Sequence, residues 1–175
     1  MAKKIKDEEF PGFVKNSVNK GSLKVGNKVP NFKSASTGKT PFELKDFSGQ
    51  NIVVYFYPKD HTSGCTQEGI DFSENIKKFK NQDCQIFGVS RESLDSHKKF
   101  IDKQNFKFEL LSDPEEVVCN FFDVIKEKSM YGKKYMGVER STFLIGKEGK
   151  LLQEWRKVKV PGHAVEVLEF IKANK

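Results

Sequence analysis

Among residue types able to do covalent chemistry, this 175-residue chain offers three cysteines, Cys65, Cys84 and Cys119. Their number is odd and their separations are wide, 19 and 35 residues. That excludes a disulfide scaffold and a zinc site built on CxxC pairs. Only Cys65 stands in a setting suited to reaction, the segment Pro58-Lys59-Asp60-His61-Thr62-Ser63-Gly64-Cys65. A cysteine at a helix start faces unpaired backbone N–H groups. These and a nearby cation favour the thiolate, which is the nucleophilic form. Gly64 leaves room beside the sulfur. Thr62 stands three residues before Cys65, where a dithiol reductase would carry its second cysteine. A hydroxyl cannot exchange disulfides, but it can donate or accept a hydrogen bond. The pattern therefore points from disulfide exchange toward attack on a small oxygen-containing substrate.

The elements that must hold this segment are legible in outline. Asn51 to Tyr57 is a nearly continuous β-branched and aromatic run, as in a strand buried on both faces of a parallel sheet, and Pro58 ends it. From Thr66 to about Lys80 the period becomes helical, with Phe72, Ile76 and Phe79 on one face. A second strand spans Cys84 to Val89, a helix Glu92 to Gln104, and a short strand Phe108 to Leu111. Asp113-Pro114-Glu115-Glu116 reads as a helix start, with Asp113 as cap and Pro114 in the first position. Ser141 to Ile145 and Leu151 to Val158 read as a hairpin around Gly146-Lys147-Glu148-Gly149. Pro161-Gly162 opens a last helix. The order β-α-β-α-β-α-β-β-α predicts an α/β protein of thioredoxin-like fold, a central mixed sheet flanked by helices. In that arrangement the turn after a buried strand is the usual reactive position, and Cys65 occupies it.

Residues 1–22 are polar and Lys-rich and read as a basic N-terminal tail, leaving residues 23–175 as one domain. Sixteen Phe and 37 % hydrophobic residues require a packed core. The net charge of +7 is concentrated at both ends, around a mildly acidic middle. Such a distribution raises a polyanion partner, but no nucleic-acid motif accompanies it, and solubilising charge is the plainer reading. No apolar run suits a membrane span or a secretory signal, so the expected location is the cytoplasm.

Pro58-x-x-x-Thr62-x-x-Cys65 resembles the active-site signature of the peroxiredoxins. Tyr55 to Gly69, Glu139-Arg140-Ser141-Thr142-Phe143 and Trp155-Arg156-Lys157-Val158 are similar to the bacterioferritin comigratory protein (peroxiredoxin Q) subfamily. The likeness covers roughly Gly21 to Ala173. It implies reduction of hydrogen peroxide and organic hydroperoxides, with Cys65 as peroxidatic thiolate and a sulfenic acid intermediate. By the same resemblance, Thr62 hydrogen-bonds the thiolate and the peroxide, Arg140 stabilises thiolate and leaving oxygen, and Pro58 walls off the site. No metal or organic cofactor is called for.

The chain departs from the subfamily in one respect. Where a resolving cysteine is present there, the resemblance places it 5 or 36 residues after the first; here those positions hold Ile70 and Ile101. Cys84 opens an interior strand and Cys119 lies among Val117, Val118 and Phe122, so both read as structural thiols, Cys119 being the outside candidate for resolution. The expectation is a one-cysteine mechanism with an external reductant: thioredoxin, glutaredoxin or glutathione, or a second subunit. The assembly is expected to be a monomer or a weak homodimer. A thiol–disulfide oxidoreductase and a basic binding or chaperone-like module are the competing readings. His61 reads as a polar loop neighbour, and His97 and His163 as surface residues. Glu68 is either a partner of Arg140 or a first-turn acid. Trp155 and Tyr135 read as partly buried aromatics. Lys126 to Lys134 reads as a solvated basic loop that edges the site, with charge to attract anionic hydroperoxides or an acidic reductase.

Overall fold

The apolar run after Asn51 becomes the middle of a curled sheet because both of its faces are apolar. The structure, a computed structural model, describes residues 23–175; the tail expected over residues 1–22 lies outside them. In chain order the elements are β1 (Lys33–Ser36), β2 (Phe42–Glu43), a 3₁₀ turn (Leu44–Phe47), β3 (Asn51–Phe56), α1 (Ser63–Glu74) and α2 (Ile76–Lys80). There follow β4 (Cys84–Ser90), α3 (Leu94–Gln104), β5 (Glu109–Ser112), α4 (Val117–Phe121), β6 (Ile125–Met130) and β7 (Lys133–Val138). The chain ends with β8 (Ser141–Ile145), β9 (Leu151–Trp155) and α5 (His163–Ala173).

Seven strands form one sheet in the order β2-β1-β5-β4-β3-β8-β9. β3, β4 and β5 run parallel; β1, β8 and β9 join antiparallel. The sheet is mixed and flanked by helices, a thioredoxin-like arrangement. Side chains alternate across β3, as the two-residue period requires. Ile52, Val54 and Phe56 enter a core with Phe32, Phe122 and Phe143, whereas Val53, Tyr55 and Tyr57 enter a second core with Phe72, Phe100 and Val167.

Several boundaries differ from expectation. The helix expected over residues 66–80 starts at Ser63 and breaks at Asn75, whose side-chain amide donates to the Asp71 carbonyl at 2.8 Å and competes with the helical ladder. α4 begins three residues after Pro114; Asp113 still serves its start, accepting from the amides of Val118 and Cys119 at 3.1 and 2.7 Å. The basic segment 126–134 is no loop. It belongs to the two-stranded sheet β6–β7, which turns at Tyr131 and Gly132, both at positive φ. Only the base of this ribbon is buried, through Ile125 and Val138. Tyr135 is exposed, because it lies on the ribbon beyond its buried base.

Candidate active site

Three elements converge on Cys65. β3 ends at Phe56, and the amide of Tyr57 makes a last bond to the Val89 carbonyl. Pro58 then stops the ladder, having no N–H to offer. The loop turns at His61, which sits at φ 64° in the left-handed region, and Thr62 takes the N-cap position of α1. The first α1 bond runs from the Thr66 amide to the Thr62 carbonyl. The amides of Ser63, Gly64 and Cys65 therefore have no partner within the helix, and Cys65, 2 % exposed, lies among them.

Arg140 arrives from the third side. β8 pairs antiparallel with β3 so that Ser141 faces Phe56, which sets the residue before β8 beside the loop after β3. Its Nη2 donates to Cys65 Sγ at 3.4 Å and its Nη1 to Glu68 Oε1 at 2.8 Å. Gly64 permits this approach: a Cβ there would stand 3.2 Å from Nη2. Glu68 lies three residues after Cys65, one helical turn on, and is 1 % exposed. Burial pushes its carboxyl up to about 7, against the pull of Arg140. Among the described residues its Oε2 has no hydrogen-bond partner. Arg140 is raised: burial opposes its charge, but Glu68 and Cys65 outweigh that. Of the two readings of Glu68, the structure adopts the Arg140 partner.

Thr62 is exposed, and its hydroxyl donates to the Lys59 carbonyl at 2.8 Å rather than to Cys65. Its single hydrogen is thereby committed, and its lone pairs stay open to accept from an incoming O–H. Pro58 is half-buried at the head of the same loop. Lys128, on β6, lies close enough to Arg140 and Cys65 for their charges to act on it. Its ammonium is lowered chiefly by burial, then by Arg140 and Arg91, and it donates to the Val138 carbonyl.

The other thiols are placed differently. Burial pushes Cys84 up to about 12. Cys119 is driven well above the ordinary thiol value by burial and by the Asp113 carboxylate. Two histidines depart from expectation. His97 is fully buried, because it shares the inward face of α3 with Phe100; its Nδ1 lies 2.7 Å from Asp60 Oδ2. His163 is buried where α5 turns inward after Gly162, with Nε2 2.7 Å from Thr142 Oγ1. Burial lowers His163. His61 remains an exposed loop residue, its ring 5.0 Å from that of Phe100. Trp155 is partly buried. Asp60, unremarked in the sequence, is buried; burial opposes its charge, but hydrogen bonds led by His97 hold its carboxyl below the usual range.

A thiol in a helix first turn with a guanidinium on its sulfur, in a thioredoxin-like fold, defines a thiol peroxidase class. Residues 25–154 match the AhpC/TSA family, to which this chain belongs, and its relatives are the thiol-dependent peroxidases named peroxiredoxin Bcp or Q. It is 52 % identical over 138 residues to peroxiredoxin Bcp of Xanthomonas campestris, covering 79 % of this chain and 86 % of that one. It is 46 % identical over 151 residues to peroxiredoxin Bcp of Bacillus subtilis, covering 86 % and 96 %. A solved structure of the Xanthomonas campestris bacterioferritin comigratory protein, concerned with its alkyl peroxide reduction activity, superposes with a TM-score of 0.80. It is 47 % identical, with 87 % of this chain and 98 % of that chain covered. Among the described residues, no helix is long and apolar enough to cross a membrane.

Proposed function

We propose that this domain, residues 23–175, reduces hydrogen peroxide and alkyl hydroperoxides through Cys65. The observation that carries the reading is the Arg140 guanidinium 3.4 Å from a sulfur set in the first turn of α1. The thiolate attacks the terminal peroxide oxygen; an S–O bond forms and the O–O bond breaks. Sulfur loses two electrons and becomes a sulfenic acid. The departing alkoxide or hydroxide takes a proton and leaves as alcohol or water. Arg140 offsets negative charge on the attacking sulfur and on the leaving oxygen. Thr62, its own hydrogen held by Lys59, accepts from the peroxide O–H and aligns it, while Pro58 screens the site from water.

The sulfenic acid then needs a thiol. Ile70 and Ile101 stand where an internal one is sought, and Cys84 and Cys119 are buried with their thiol forms favoured. We assign a one-cysteine cycle. An external thiol condenses with the sulfenic acid, releasing water, and a second thiol frees Cys65 as the reductant becomes a disulfide. Thioredoxin, glutaredoxin and glutathione have this chemistry, and a reducing compartment, the cytoplasm, suits it. Cys65, Glu68 and Arg140 come from one chain, so a monomer or a weak homodimer is sufficient.

Turnover of hydrogen peroxide and of an alkyl hydroperoxide, with thioredoxin and glutathione systems supplied separately, tests this. Cys65→Ser should lose all turnover above background. A Cys65→Ser enzyme that consumes peroxide at the original rate would overturn the assignment.

A further inference from the structure

The loop that carries Thr62 into the start of α1 is fastened from outside the site. Asp60 is buried, and each of its oxygens is engaged: Oδ1 accepts from the Tyr57 hydroxyl at 2.6 Å, and Oδ2 from Ser96 Oγ at 2.8 Å and His97 Nδ1 at 2.7 Å. The opposite edge of the His97 ring, Nε2, lies 2.9 Å from the Leu111 carbonyl oxygen on β5. A carbonyl oxygen can only accept, so Nε2 carries a hydrogen toward Leu111, and this leaves Nδ1 to meet the Asp60 carboxyl group. His97 is a rigid strut between β5 and the loop. Phe100, one turn further along α3, backs the His61 ring.

The strut reaches the chemistry by a short route. The Thr62 hydroxyl donates to the Lys59 carbonyl, and that carbonyl belongs to the peptide joining Lys59 to Asp60. Fixing Asp60 fixes the plane of this peptide, hence the direction of the Thr62 hydrogen and of the lone pairs left to meet a peroxide. The one residue between Asp60 and Thr62 is His61, held at φ 64°, a conformation that a non-glycine residue adopts only when its surroundings impose it.

We propose that Asp60 and His97 are positioning residues for peroxide attack, locking the loop of Pro58 and Thr62 onto α3. The proposal rests on the peroxidase reading of Cys65 and deepens it. It concerns aim, not thiol activation: Arg140 and the α1 amides are held by other elements, so nucleophilicity toward a substrate that does not need Thr62 should survive loss of the strut.

The test compares two rates on reduced protein, both read by mass at Cys65: oxidation by hydrogen peroxide and alkylation by iodoacetamide. Asp60→Ala and His97→Ala should each slow oxidation about tenfold or more, since a freed loop can misplace Thr62 by about 1 Å, a displacement that can cost about 100-fold. The double variant should fall no further than either single one, because both break one link. Asp60→Asn should recover to within about threefold, its amide donating to a ring nitrogen that now accepts. Alkylation should stay within about twofold in all of them. Should the alanine variants fail to fold, His97→Gln, which can reach only one of the two acceptors, must still slow oxidation with alkylation unchanged. Oxidation unchanged in folded variants, or both rates falling together, overturns the proposal. A wild type that is alkylated but never oxidised would overturn the peroxidase reading itself.

Discussion

Cys65 and Cys119 are each the third residue of a helix, and each is buried. At the start of α4 the Asp113 carboxylate has taken the amides of Val118 and Cys119, so the Cys119 thiol faces an anion. At the start of α1 the Thr62 side chain turns away to Lys59, the first amides are left to the site, and the sulfur faces a guanidinium. Burial acts against the thiolate at Cys119, and the carboxylate adds to it. A helix start does not by itself make a reactive cysteine. What already occupies its N–H groups decides whether the thiol or the thiolate is favoured there.

The largest test of this contrast removes the cation. Arg140→Ala should slow oxidation of Cys65 by hydrogen peroxide about 100-fold or more, the scale seen when a charge-stabilising donor is lost, measured by single-turnover kinetics. Arg140→Lys should recover only part of that, since an ammonium cannot hold Glu68 and the sulfur with a planar fork. A loss of less than about threefold in Arg140→Ala would break the comparison.

Gly64→Ala keeps the charge and moves it. The new Cβ, 3.2 Å from Nη2, should push the guanidinium back by a few tenths of an ångström. A several-fold slower oxidation, with little change in melting temperature, is the expected outcome.

Glu68 gives a smaller, pH-dependent effect on stability. Its carboxyl stands at about 7 in the folded chain against an ordinary 4.5, so the folded state binds the proton more tightly than the unfolded one. Stability should therefore fall as pH rises from about 4.5 to about 7, because across that window the folded state holds the proton that the unfolded state has lost. Glu68→Gln should remove this part of the slope, read from urea midpoints across the window; an unchanged profile would contradict the placement of Glu68.

The smallest expected kinetic effect is at the other two thiols. Cys84→Ala and Cys119→Ala should oxidise at Cys65 within about twofold of the wild-type rate. Their cost should be in stability, of order 1 kcal/mol each from lost packing, measured by urea unfolding.

The reactive turn could be read directly because its signals are local. A β-branched run stopped by Pro58, then Thr62, Gly64 and Cys65 at a helix start, state both geometry and chemistry within eight residues. The sheet was legible wherever strands are apolar on both faces, as in β3 and β4. The β6–β7 ribbon was not, because Lys126, Lys128, Lys133 and Lys134 give no apolar alternation and backbone pairing holds it beyond its base. His97 does carry a sequence signal of its burial: it lies three residues before Phe100, on the apolar side of α3. Asp60 could not be paired with it from sequence, since 37 residues separate them and only the fold brings them together.

The central claim is that Cys65 alone meets peroxide and that no thiol of the same chain answers it. The most direct measurement adds one equivalent of hydrogen peroxide to reduced protein in the presence of dimedone, which traps sulfenic acids, and maps all three cysteines by peptide mass. The account predicts one dimedone adduct, on Cys65, with Cys84 and Cys119 still free thiols. An adduct on either of those, or a disulfide joining Cys65 to one of them, would contradict it.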